Sequence, residues 1–209
     1  MNKIVTLLLI FVGGVFGQTP KVDYDNSAGQ VWQIPFASSD NTISLSIQNN
    51  SGVEAKNVSV TFNNTPSWIN FESSTVAIKS IAANASCNAD FTFSVDKKAP
   101  IGKDTTLTAT IKTSDGQIWT KDIKISVGAP KDYKLYDNFP NPFNPSTKIG
   151  FELPKASHVK LIIYDIVGRE IARVADADYP AGYSELAWNG LNQNRAVVSI
   201  RGLLLPSEY

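Results

Sequence analysis

The side chains able to do chemistry are few and scattered. The chain of 209 residues carries one His and one Cys. His158 stands beside Lys160 at the head of an alternating run, where it reads either as a solvated strand-end residue or as a general base. The first reading is preferred because no nucleophile motif accompanies it: the sequence contains no Gly-x-Ser-x-Gly elbow, no phosphate loop and no His-Glu-x-x-His pair. With one imidazole and one thiol, neither a zinc cluster nor an internal disulfide framework can be assembled. Cys87, within Ala85-Ser86-Cys87-Asn88-Ala89, reads as a small half-buried residue at a strand start, with an intermolecular disulfide as the alternative. Asp23, Asp25 and Asn26 offer oxygen ligands but lack the Gly and closing Glu of a calcium loop, so they read as a polar linker. Asp176 and Asp178 read as solvated turn residues. No catalytic, cofactor or metal residue is therefore expected, and the chain is read as a non-enzyme. Trp68 and Trp119, with Trp32, have the flat faces that stack on sugar rings, yet each also falls where a β-sandwich core needs a large side chain. Asn49, Asn57, Asn63 and Asn84 open Asn-x-Ser/Thr sequons.

The charge balance narrows the partners. Nineteen basic residues face nineteen acidic ones, so there is no electrostatic footprint for a nucleic-acid backbone or an anionic membrane. Charged residues make up 18% of the chain, which suits short strands with polar turns better than charge-laced helices. Residues 1–17 read as a secretory signal peptide: Lys3 in the n-region, an apolar core over Ile4 to Val12, and Val15-Phe16-Gly17 before the cut. The apolar run is too short to span a bilayer, so no transmembrane segment is expected after cleavage. No Cys follows the cut, which argues against a lipid anchor. An extracytoplasmic destination follows, in which Cys87 has no partner within the chain.

These residues need elements to hold them, and the sequence supplies strands. After a linker over 18–29, residues 30–128 run as short period-two segments: Ile43, Leu45 and Ile47; Val58, Val60 and Phe62; Val76 and Ile78; Phe91, Phe93 and Val95; Leu107, Ala109 and Ile111; Ile123, Ile125 and Val127. Such alternation turns one face of each strand to a core and the other to water. Turn signals separate them at Ser51-Gly52, Ala82-Ala83-Asn84, Pro100-Ile101-Gly102 and Ser114-Asp115-Gly116. The pattern predicts an antiparallel immunoglobulin-like β-sandwich. Pro66-Ser67-Trp68-Ile69 with Phe71, Ala99-Pro100-Ile101-Gly102 and Asn49-Asn50-Ser51-Gly52 together resemble the immunoglobulin-like modules appended to secreted bacterial glycosidases and peptidases, the NEW3 and CARDB-like groups. That resemblance covers about Asn41 to Val127 and implies a spacer or adhesion role.

A linker over 129–132 leads to a second unit, 133–194. Its opening, Asn138-Phe139-Pro140-Asn141-Pro142-Phe143-Asn144-Pro145-Ser146-Thr147, carries three prolines, each fixing its own φ and biasing its predecessor towards extended structure. It is expected to run along the surface with Phe139 and Phe143 pinned to a hydrophobic face. Alternating runs follow at Ile149, Phe151 and Leu153, then at Val159, Leu161 and Ile163. Tyr164-Asp165 and Gly168-Arg169 bound a hairpin into Glu170 to Ala175, and Ala181-Gly182 leads to Trp188-Asn189-Gly190. These residues resemble the C-terminal sorting domain of proteins exported by the bacterial type IX secretion system, in the form related to the immunoglobulin-like domain of flagellar hook-capping proteins. The resemblance implies a second all-β sandwich that is not catalytic and that engages the outer-membrane export machinery, leading to secretion or cell-surface attachment. The whole chain is then a secreted, non-catalytic two-module protein, with an extracellular polysaccharide or protein as the ligand of its first module. The alternatives are a carbohydrate-binding module and an accessory fragment of a secreted hydrolase.

The tail, 195–209, departs from that family. A closing Gly-Val-Tyr strand is expected there, whereas the chain ends with Gly202-Leu203-Leu204-Leu205-Pro206. Codons exist for Arg201 to Tyr209 that, read one base later, give Gly-Val-Tyr-Tyr-Tyr-Arg-Leu-Asn. A frame change near Arg195 to Val198 would thus have replaced the last strand and left its neighbour with an exposed edge. Sequencing the gene tests this, because codons for Leu203 to Leu205 that are not TTA-like would refute it.

Overall fold

A computed structural model describes residues 31–192 and Ala196, together with the backbone path of 4–11. The polar linker with Asp23, Asp25 and Asn26 and most of the 195–209 tail lie outside the described residues. The chain divides into two compact units, Met1–Gly128 and Ala129–Tyr209. Both are built from β-strands alone among the described residues, as immunoglobulin-like sandwiches.

In the first unit the strands are β1 (Ile4–Phe11), β2 (Val31–Ile34), β3 (Asn41–Asn49), β4 (Ala55–Asn63), β5 (Ile69–Phe71), β6 (Thr75–Ile81), β7 (Ser86–Val95), β8 (Thr105–Lys112) and β9 (Ile118–Val127). They form one sheet in the order β1-β3-β7-β5 and a second in the order β2-β9-β8-β4-β6. The alternating residues become the two inner faces. Ile43, Leu45 and Ile47 of β3 and Phe91 and Phe93 of β7 meet Val58, Val60 and Phe62 of β4 and Leu107, Ala109 and Ile111 of β8, all within one buried cluster. Phe62 and Phe91 pack edge to face with ring centroids 4.8 Å apart, the geometry favoured by the ring quadrupole. Register agrees with the period: Ile43 opposes Phe91, Val60 opposes Ile111, and Leu107 opposes Ile123.

Two pairings are parallel, β2 with β9 and β1 with β3. The β1 residues lie within the expected leader. An apolar run of this kind has strand propensity as well as leader character, and when retained it takes the edge of the sheet.

The turn after β3 shows how a polar residue earns a buried position. Asn49 is 1% exposed. Its amide nitrogen donates to the carbonyls of Val53 (2.8 Å), Ile81 (3.0 Å) and Ala82 (3.1 Å), and its Oδ1 accepts from the Ser51 amide (3.1 Å) and hydroxyl (2.6 Å). The first of the four sequons is thus a structural clamp with no exposed side chain.

In the second unit β10 (Lys134–Leu135), β11 (Thr147–Leu153) and β14 (Gly182–Trp188) form one sheet in that order, while β12 (Ser157–Tyr164) and β13 (Glu170–Tyr179) form the other. Ile149, Leu161, Ile163, Ala172, Ala175 and Trp188 make its core, with Leu135, Phe143 and Leu186 packed against it.

Replacing Asn49 by Ala strands three carbonyls and is expected to cost about 2 kcal/mol or more, read by urea unfolding of the intact protein. Ile118→Ala, at a residue 58% exposed, is expected to stay within about 0.5 kcal/mol of wild type. Equal effects of the two substitutions would contradict this account of the turn.

Candidate functional site

The proline-rich segment between β10 and β11 is an irregular strap, and its conformation follows from what it lacks. Pro140, Pro142 and Pro145 have no N–H to donate, and each follows a cis peptide bond. Side-chain donors meet the Pro140 carbonyl of the strap instead. Asn138, 6% exposed, and Thr147, 1% exposed, supply them. Thr147 Oγ1 donates to the Pro140 carbonyl at 2.8 Å, and Asn138 Nδ2 donates to the same carbonyl at 3.3 Å and to Thr147 Oγ1 at 2.9 Å. Asn141 Nδ2 reaches Asn138 Oδ1 at 3.4 Å. The strap is also stitched at the backbone, where Phe139 and Lys148 exchange both N–H···O bonds at 2.9 and 3.0 Å.

Below this lock the strap rests on the end of β14. The Phe143 ring lies 5.4 Å from Trp188. Trp188 is 4% exposed and donates its indole N–H to the Leu191 carbonyl at 3.0 Å. Gly190 has φ +74, and a Cβ there would sit 2.8 Å from the Pro145 carbonyl. The backbone conformation and the close approach each require glycine at this position. Thr147 opposes Trp188 across the β11–β14 ladder, so the lock, the ring and the glycine occupy one end of one sheet. Asn144, Pro145 and Ser146 complete the loop over it, and Gly182 begins the same strand at the other end.

Phe139 does not follow the expectation that both phenylalanines are pinned inward, since it is 78% exposed. With Asn138 turned into the lock, the next residue of an extended chain must point the opposite way. The conjunction of a buried Asn and an exposed Phe carries no signal in composition.

The second group of motif residues forms the turn of the β12–β13 hairpin. Asp165 Oδ1 accepts the amides of Val167 (3.0 Å) and Arg169 (2.9 Å), while its Oδ2 accepts from Arg169 Nε (2.7 Å). Gly168, at φ +82, lets the chain turn back on itself, and its amide donates to the Asp165 carbonyl at 3.0 Å. The backbone bond from Arg169, with the other bonds to this carboxylate, holds Asp165 below its ordinary pKa. Tyr164 is the last residue of β12. These residues do turn chemistry and are not arranged about a reacting atom.

His158 has a richer setting than a bare strand end. Asp176 and Asp178 lie in β13, not in a turn, and the register brings both to the imidazole: His158 opposes Asp178, and Lys160 opposes Asp176. Asp176 Oδ1 lies 2.7 Å from Nε2, and Asp178 Oδ1 lies 2.8 Å from Nδ1. These two hydrogen bonds, that to Asp176 first, raise the His158 pKa, and the bond from His158 lowers that of Asp176. The two ring nitrogens point apart, so the carboxylates flank the ring and do not converge on a common point. Among the described residues no group of three or more His, Cys, Asp and Glu is placed to hold a metal ion.

Glu152 is 8% exposed although it stands on the outer side of β11. The Tyr136 hydroxyl donates to it, and the Tyr136 and Tyr183 rings pack edge to face at 5.8 Å. Burial, followed by the bond to Glu152, pushes the Tyr136 pKa up.

Of the residues with faces for sugar stacking, Trp119 is 6% exposed and belongs to the core, so its face is not presented to a ligand. Trp68 and Trp32 are half-buried and pack against the same core. Cys87, half-buried near the start of β7, carries a free thiol.

A family model described as the NPCBM-associated NEW3 domain of alpha-galactosidase matches residues 36–114, which span β3 to β8. No curated protein matches the chain. Among solved structures it is similar to the secreted serine protease VesC from Vibrio cholerae, at 13% identity over 77% of this chain and 45% of that one, with a TM-score of 0.31. It is also similar to the CupB2 chaperone of Pseudomonas aeruginosa, at 13% identity over 77% and 87% of the two chains, TM-score 0.27. A third is dimeric latent PorU from Porphyromonas gingivalis, at 13% identity over 86% and 18%, TM-score 0.29. The chain thus spans less than half of VesC. TM-scores this low assign no function.

Gly190→Ala is expected to destabilise the second unit by more than about 1 kcal/mol, whereas Gly52→Ala, whose added Cβ meets nothing within 4 Å, should be near neutral. Urea unfolding followed by tryptophan fluorescence distinguishes them. The His158 clamp gives a signed pH dependence. Its folded pKa lies above the ordinary 6.5, so its contribution is full below that value and is lost as pH rises through the raised one. Asp176, lowered from 3.8, loses its contribution only in acid. Comparing thermal midpoints of wild type and His158→Gln between pH 4 and 9 should show the largest wild-type advantage near pH 4 to 6.5 and none in alkali; a pH-independent difference would contradict the clamp.

Proposed function

We propose that the chain is a secreted, non-catalytic protein whose second unit is a type IX secretion sorting domain and whose first unit is a NEW3-type accessory module. On this reading residues 1–17 direct passage to the periplasm and are removed. The unit over 133–194 is then recognised by the outer-membrane export machinery and delivers the protein to the cell surface or the medium. The single observation carrying the proposal is the use made of the motif. Asn138, Phe143, Thr147, Trp188 and Gly190 come from both ends of the unit and close on one another, while Asp165, Gly168 and Arg169 shape a turn. Each motif residue so placed fixes a surface, and an export signal is a surface presented to a receptor. A transport role asks nothing more of the side chains.

A second reading, sugar binding by the first unit, is favoured by the match of residues 36–114 to a domain of alpha-galactosidase. It would have to use Trp68, since Trp119 is taken by the core.

Fusing residues 133–209 to a reporter in a bacterium that has the type IX system tests the first reading. Surface or medium delivery of the reporter is expected, with loss in the Asn138→Ala/Thr147→Val variant and in a host lacking the export channel. Delivery that ignores the channel, or no delivery at all, would overturn it. Polysaccharide pull-down with the intact protein tests the second, which requires binding that Trp68→Ala abolishes.

A further inference from the structure

Strand β3 is bonded on one side by β7 and on the other by β1, which runs parallel to it from Ile4 opposite Thr42 to Phe11 opposite Asn49. Loss of residues 1–17, the leader of the proposed function, takes β1 away and makes β3 the last strand of its sheet among the described residues. The edge so uncovered has none of the usual protections. Asn41 to Asn49 contains no charged residue and no proline, and its register with β7 is continuous, whereas edge strands ordinarily carry a lysine, a proline or a bulge that discourages pairing. Both ends of the strand are also held. Asn41 Nδ2 donates to the carbonyls of Ser38 and Phe93, each at 3.3 Å, and Asn49 is clamped in the following turn.

The sequence of β3 selects the occupant. Asn41-Thr42-Ile43-Ser44-Leu45-Ser46-Ile47-Gln48-Asn49 reads the same in both directions about Leu45, except that Thr42 answers Gln48. Backbone parity agrees with that centre. The Asn49 amide donates to the carbonyl of Ala85, just before β7, at 2.8 Å, so Asn49 and, alternating along the strand, Ile47, Leu45 and Ile43 spend their backbone groups on the β7 side. Thr42, Ser44, Ser46 and Gln48 therefore aim theirs at the edge. When two copies run antiparallel about Leu45, Thr42 opposes Gln48 and Ser44 opposes Ser46, and each edge-aimed amide meets an edge-aimed carbonyl. A twofold axis between two residues would instead set edge-aimed groups against residues already bonded to β7. Leu45 then opposes Leu45, and Ile43 opposes Ile47. All three are buried in the core of their own copy, so the two cores lie on the same side of one continuous sheet. No like charges meet across the pair.

We infer that the uncovered edge of β3 is an isologous interface at which a second copy of this chain adds its own β3, antiparallel and centred on Leu45. The inference rests on the reading of residues 1–17 as a cleaved leader and goes beyond the export role. While β1 is present it occupies the edge and keeps the chain monomeric; the cut releases the edge for pairing. One added strand on each side buries less than the roughly 1,200–2,000 Å² of a standard interface, so association rises with concentration.

The test compares the intact chain with the chain starting at Gln18 by analytical ultracentrifugation. Dimers are expected of the Gln18 chain and monomers of the intact one at the same concentration. Thr42→Lys/Gln48→Lys in the Gln18 chain sets like charges directly opposite at both ends of the pair and should weaken the dimer at least about tenfold, whereas Thr42→Lys/Gln48→Glu sets opposite charges there and should restore it. Amide exchange of the unsubstituted Gln18 chain reads the same contact without any variant: the Ser44 and Ser46 amides should slow as concentration rises, and that of Leu45 should not change. A Gln18 chain that stays monomeric up to about 1 mM, a dimer indifferent to the like-charge variant, an opposite-charge variant no tighter than the like-charge one, or an intact chain that dimerises equally well would overturn the inference. The mass of the exported protein reports the cut separately. An uncut product would overturn the leader reading and with it the release of the edge, while a monomeric Gln18 chain counts against the interface alone.

Discussion

The second unit depends on two buried side chains that satisfy one carbonyl. Three prolines in eight residues remove the donors with which a loop ordinarily ties itself down, yet the strap must stay where β11 can begin. Thr147 and Asn138 both donate to the Pro140 carbonyl and are bonded to each other. A buried polar group left alone costs about 1–3 kcal/mol, so this pair is stabilising only as a complete set. Once it is formed, Phe143 is held over Trp188, the Pro145 carbonyl lies where Gly190 leaves room, and the first pair of the β11–β14 ladder is Thr147 with Trp188. Removing either member frees the other into an apolar setting and loosens the strap over the core.

The same logic explains which parts of the structure the sequence discloses. The long strands are legible because period-two alternation and burial are one phenomenon seen twice: Ile43, Leu45 and Ile47 are inside because Ser44 and Ser46 are not adjacent to them on the same face. The short strands β2, β5 and β10 have too few residues for a period, and they form because longer neighbours offer them an edge. Phe139 and Asn138 exchange their expected places, since hydrophobicity ranks the two residues but the strap's unsatisfied carbonyl decides between them. Asp176 and Asp178 are likewise illegible as partners of His158. They lie 18 and 20 residues away, and only the hairpin register, with its irregularities, says which residues face which. Asn49 was legible as a turn residue but not as a buried one. Its three carbonyl partners come from the turn after β3, from the last residue of β6 and from the residue that follows β6.

The organised polar groups share a character. The Asn138 lock, the Asp165 turn and the Asn49 clamp each bond backbone groups as well as side chains, and the His158 clamp spends both ring nitrogens on neighbouring carboxylates. Glu152 is covered by aromatic rings and held by a phenol. Groups engaged in this way stiffen surfaces and loops, and a rigid, preorganised surface is what a receptor reads at low entropic cost. The proposed delivery role draws on that property, and so does an accessory module carried beside another protein's chemistry.

The most direct test of this account is the exchange of the Asn138 side-chain amide, followed by nuclear magnetic resonance in the intact protein. If the Asn138–Thr147–Pro140 set organises the strap, the Asn138 Nδ2 protons are protected by at least about tenfold relative to an exposed side-chain amide, and Thr147→Val removes that protection together with the protection of the Phe139 and Lys148 backbone amides. Asn138 protons exchanging at the rate of an exposed asparagine, or protection that survives Thr147→Val unchanged, would contradict it.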